Sequence, residues 1–137
     1  MITKAQLLNA QKAEIGEAAL GYLACALGVS DDEAASECTV HDFDMEDLQH
    51  AIEQVGVIYA NFYTIFDQMG YSPDQMGHDL WLERNGHGTG FRDRKLGDLG
   101  KAIAEYVRTR MAEVDLELAT NGTPYFIAHQ YRNKEKR

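Results

Sequence analysis

The feature that most constrains this chain is an apolar series, Leu48, Ile52, Val55, Tyr59, Phe62, Phe66 and Met69, recurring at alternating spacings of four and three. That period puts the whole series along one stripe of an α-helix. Asp44 is a residue type that caps such a helix, and Gly70 one that ends it. An apolar stripe of this length needs neighbours along its side, so the rest of the chain must pack around it. The 137 residues hold enough material for one core but not two.

The flanking segments supply those neighbours. Thr3 and Gln6 form a capping box ahead of Leu8, Ile15, Ala19, Tyr22 and Ala26, so a helix is expected over about 4–27, with Gly28 as its stop. Ser30 and Glu33 suggest a second box and a short helix through about Glu37. Ser72-Pro73-Asp74-Gln75 is a compact helix start, and the helix it opens carries Met76, Leu80 and Trp81 and ends near Asn85-Gly86. Another begins near Leu96, with Leu99, Ile103, Tyr106 and Val107 on its apolar face. Val114, Leu116 and Leu118 then alternate, Asn121-Gly122 suits a two-residue type I′ turn, and Tyr125 to His129 return as a strand. The expected fold is mostly α (α+β): four or five helices around the central 48–69 helix, with a C-terminal β-hairpin packed on one side. Residues 1–130 form a single globular domain and 131–137 a basic, frayed tail.

Composition narrows the function classes. No apolar run approaches the roughly 20 residues of a membrane span. The N-terminus is amphipathic and charged, unlike a secretory signal, so a cytoplasmic protein without membrane contact is expected. Cys25 and Cys38 are too few for a disulfide framework or a zinc-ligand cluster. The net charge is −9, unevenly spread: residues 1–83 hold fifteen Asp/Glu against Lys4 and Lys12, whereas residues 84–137 hold eleven Lys/Arg against seven Asp/Glu. Asp31–Asp47 is wholly acidic among its charged residues and forms an acidic face suited to a basic partner. Within it Asp42, Asp44 and Glu46, with Glu53 beyond, match positions of a calcium-loop template, but Asp47 stands where that loop needs glycine.

The charge reverses inside the stretch that concentrates candidate chemistry, Gly77–Arg94, GHDLWLERNGHGTGFRDR. Gly86, Gly88 and Gly90 alternate with His87 and Thr89, a composition that lets backbone N–H groups approach an anion. Arg84, Arg92, Arg94 and Lys95 add cations for phosphate or carboxylate, and Asn85, His87 and Thr89 add hydrogen-bonding groups. The expected ligand-binding set is therefore Arg84, Asn85, Gly86, His87, Gly88, Thr89, Gly90, Arg92, Arg94 and Lys95, taking a nucleotide or a single-stranded nucleic acid, with no cofactor. A helix-to-helix turn makes the same glycine demand without any ligand. His78, His87 and Asp93 are ligand types for a divalent metal, though no fixed spacing joins them, and adjacent His78 and Asp79 diverge by about a hundred degrees on a helix.

The same stretch resembles a run in small proteins of tailed bacteriophages, approximately Gly-His-Asp-Phe-Trp-Leu-Thr-Arg-Asn-Gly-His-Gly-Ala-Gly-Phe-Trp-Asp-Arg. Gly77, His78, Asp79, Trp81, Leu82, Arg84, Asn85, Gly86, His87, Gly88, Gly90, Phe91, Asp93 and Arg94 agree with it. Leu80, Glu83, Thr89 and Arg92 depart from it. The resemblance implies a phage or prophage accessory protein working in the host cytoplasm, and it implies no activity. Three readings follow: a non-enzymatic binder of an anionic ligand at Arg84–Lys95, an inhibitor that offers the Asp31–Asp47 face to a host nucleic-acid-binding or defence protein, and a metal-dependent hydrolase built on His78, His87 and Asp93.

Overall fold

The computed structural model describes residues 4–86, 90–91 and 96–128. Among these the chain is mostly helical: α1 (Lys4–Gly28), α2 (Met45–Gln68), α3 (Pro73–Arg84) and α4 (Asp98–Arg110), followed by the antiparallel hairpin β1 (Val114–Leu118) and β2 (Pro124–Ala128). Two 3-10 turns, Glu33–Glu37 and Val40–Asp42, join α1 to α2. The first is capped by Asp32, whose side chain accepts from the Ala34 N–H, rather than by Ser30. Ser72 caps α3 as expected, accepting from Gln75 N at 3.2 Å with Pro73 in the first turn.

The closest pairing is α1 with α3, and two glycines make it possible. A Cβ at Gly77 would sit 1.8 Å from the Ala18 carbonyl oxygen, and one at Gly21 would sit 2.2 Å from that of Asp74. The two backbones are therefore in contact, an approach that only a residue without Cβ allows. Every residue of α3 from Met76 to Arg84 except His78 is buried, Asp79, Glu83 and Arg84 included. The α2 stripe packs through Val55, Tyr59 and Phe66, but Ile52 and Met69 at its margins are exposed, as is Leu99 on α4, where Gly100 takes the inner position. A Cβ at Gly100 would meet the Phe91 carbonyl oxygen at 2.6 Å.

At the end of α2 the Tyr71 N–H bonds to the Phe66 carbonyl at 2.9 Å and the Gly70 N–H to that of Asp67 at 3.2 Å. With Gly70 at φ 66° this is a Schellman ending, which folds Tyr71 back onto Phe66, their rings 5.2 Å apart. The hairpin turn differs from the expected two-residue form. The Gly122 N–H bonds to Ala119 O, the Ala119 N–H to Thr123 O, and Gly122 lies at φ 87°, a three-residue loop with its left-handed residue last. The hairpin lays Val114, Leu116 and Phe126 on the helices. No helix among the described residues is long and apolar enough to cross a membrane.

Candidate functional site

Arg84, the first of the expected anion ligands, is buried and turned inward. Its Nε and one terminal nitrogen donate to the Ala112 carbonyl at 3.0 and 2.6 Å, and the other donates to Gln54 Oε1 at 2.6 Å and the Tyr22 hydroxyl at 3.3 Å. No carboxylate among the described residues lies within ion-pair distance of it. Neutral oxygens from α1, α2 and the α4–β1 connection therefore solvate this cation, tying three parts of the chain to the end of α3. Its field reaches two further groups. Burial and the nearby guanidinium push His50 down to about 4, and burial, partly offset by Arg84, pushes the Tyr22 hydroxyl up to about 12. His50 Nε2 lies 3.2 Å from the Tyr22 hydroxyl, so a neutral imidazole completes the cluster.

Asn85 is also committed to the fold. Its amide nitrogen donates to Trp81 O at 3.1 Å, and its Oδ1 accepts the Val114 N–H at 2.8 Å, fixing the start of β1 to the end of α3. Gly86, at φ 69°, ends the helix. Gly90 lies over α3, where a Cβ would meet Glu83 Oε1 at 3.1 Å and Asp79 O at 3.3 Å. Glu83 is held by Arg108 at 2.8 Å. Asp79, fully buried, accepts from the Tyr71 hydroxyl and from Gln75 at 2.9 Å. His78 approaches it to 3.3 Å despite the divergence of adjacent helical positions. Of the remaining expected ligands, His87, Gly88, Thr89, Arg92, Arg94 and Lys95, together with the metal candidate Asp93, lie outside the described residues. Among the described residues no three or more His, Cys, Asp and Glu are grouped so as to hold a metal ion. The calcium-template residues are dispersed: Asp42 accepts the Thr39 N–H at 2.7 Å, and Glu46 and Glu53 belong to α2.

The concave surface that the motif does contribute to lies on the other side of Trp81. A groove of about 360 Å³ runs between the end of α1 and β1, with Trp81 and Asn85 among its lining residues. One wall carries Asp31 and Asp32, the other Glu113, Asp115 and Glu117, and no Lys or Arg among the described residues lines it. The expected acidic face is thus divided. Asp31 and Asp32 meet the groove, whereas Asp47 reaches the hairpin and accepts the Phe126 N–H at 3.1 Å. Trp81 packs edge-on against Tyr22 at 5.2 Å and beside Phe126 at 5.4 Å, and its buried indole N–H has no acceptor among the described residues.

The register explains what the groove offers. Val114 pairs with Ala128 and Leu118 with Pro124. Because the Ala119 N–H bonds across to Thr123 while the Val114 N–H turns away to Asn85, the N–H and C=O of Leu116 and Leu118 also face outward. The outer edge of β2 is covered at Phe126 by Asp47. Among the described residues, that of β1 is met only at Val114, by Asn85. The acidic positions 113, 115 and 117 were visible in the sequence only as the polar half of the strand alternation. Searches against protein-family models, curated proteins and solved structures find no match for this chain.

Proposed function

We propose that this chain is a non-enzymatic binding protein whose β1 groove takes a basic, extended segment of a partner protein as a third strand. The observation that carries this reading is the outward-facing backbone edge of Leu116, which lines the groove, continued at Leu118. Edge strands are templates for strand addition, in which main-chain bonds supply affinity and side chains supply selectivity. Asp31 and Asp32 on the groove wall and the net charge of −9 favour lysine and arginine over acidic segments. With the resemblance to tailed-bacteriophage proteins, the partner is a basic nucleic-acid-binding or defence protein of the host, held by its cationic surface. An anionic ligand at the glycine-rich loop has less support, since Arg84 and Asn85 are committed within the fold.

Trp81 is the sole tryptophan, so its fluorescence reports the groove directly. An eight-residue alternating Lys/Val peptide should shift the emission and bind less tightly as salt rises, and the Glu/Val peptide of equal length should not bind. Leu118→Pro, which removes an outward N–H at an edge position that tolerates proline, should weaken binding while leaving the fold intact. Equal response to both peptides, or to neither, contradicts the reading.

A further inference from the structure

A second concavity, separate from the β1 groove, is built by the ending of α2. It encloses about 190 Å³ and is lined by the rings of Tyr59, Tyr63, Phe66 and Tyr71, with Glu14 from α1 and Asp67 from α2. Two ring pairs form its wall: Tyr59 and Tyr63 at 5.5 Å and 27°, and Phe66 and Tyr71 at 5.2 Å and 26°. The Schellman turn at Gly70 is what brings Tyr71 into this wall. Its hydroxyl is committed to Asp79, so what it offers the cavity is ring surface.

We infer that this cavity is a binding site for a small organic cation with a methylated ammonium head. Aromatic rings attract such a cation through their quadrupoles, and a carboxylate beside them adds a charge of the right sign. No Lys or Arg among the described residues lines the cavity to oppose it. Its volume lies below the roughly 300–1,000 Å³ of pockets that hold drug-sized molecules, so it suits a head group. A hard metal ion asks for six or more oxygens, whereas the lining here offers two carboxylates beside four aromatic rings. A bare ammonium would forfeit strong hydration against rings that return little. A quaternary, fully methylated head has no such donors to lose.

Choline and its uncharged isostere 3,3-dimethylbutan-1-ol are the probes, followed through the backbone amide spectrum of the full chain. Choline should shift the Tyr63, Gly70 and Tyr71 amides in a saturable manner, and the alcohol should bind at least about fivefold more weakly. Asp67→Asn and Tyr63→Leu, both outside the fully buried core, should each weaken choline several-fold with the remaining spectrum unchanged. Glu105→Gln on α4 should have no effect. Equal binding of alcohol and choline would show a merely apolar cavity, and shifts absent at millimolar choline, or unaltered by Asp67→Asn, would also overturn the assignment. None of these outcomes bears on the β1 groove, whose peptide probes and residues are different.

Discussion

Arg84 brings a full charge into the interior, where its partners among the described residues are neutral oxygens, and its neighbours carry the consequences. Arg84→Ala would strand the Ala112 carbonyl and the Gln54 amide and open a void beside Tyr22, so a loss of about 3 kcal/mol or more is expected by urea denaturation. A variant within about 0.5 kcal/mol of wild type would mean that the guanidinium is dispensable to the fold and free for a ligand. His50 gives a pH-dependent signature of the same cluster. Its ordinary value is 6.5 and its folded value about 4. Between these limits the unfolded chain binds the additional proton, so stability falls as the pH drops from 6.5 toward 4 and is unaffected by this group above 6.5. The slope from this residue is at most about 1.4 kcal/mol per pH unit and smaller to the extent that water reaches the ring. Denaturation of wild type and His50→Gln across pH 4–7 should show the flatter profile in the variant, and parallel profiles would remove His50 from the account.

The contact of α1 with α3 makes a sharp demand on two glycines and none on two others. Gly77→Ala and Gly21→Ala place a methyl group against backbone oxygen and should each cost at least about 2 kcal/mol. Gly16→Ala and Gly56→Ala meet nothing within 4 Å, and in helix interiors should gain roughly 0.5–1 kcal/mol. Thermal melts of the four variants check this, and a stable Gly77→Ala would contradict the packing of α3. The elements themselves were legible in the sequence because caps and periodicities are local: Ser72-Pro73, the α2 stripe and the β1 alternation all appear in the structure. The burial of α3 was not legible. Its buried polar residues have no helical period to betray them, and Arg84 finds its partners 28, 30 and 62 positions away. For the same reason the expected anion ligands Arg84 and Asn85 could not be told from groups that bind the chain itself. Ile52, Met69 and Leu99 fit the apolar spacing yet lie at the margins of their faces, where periodicity fixes direction but not coverage.

Across the whole molecule the −9 net charge frames the binding readings. It opposes approach of nucleic acid and favours cationic partners, and both concavities described here are lined by carboxylates without a basic residue among the described ones. The β1 groove joins that charge to an outward-facing strand edge. Charge alone would attract a basic peptide in any conformation, whereas strand addition places it in register along Leu116 and Leu118. Amide hydrogen exchange at single-residue resolution separates these cases most directly. With the Lys/Val peptide near saturation, exchange at Leu116 and Leu118 should slow by about tenfold or more, while Asp115 and Glu117, whose N–H groups already face β2, should change little. Bound peptide with unaltered exchange at Leu116 and Leu118 would contradict the account.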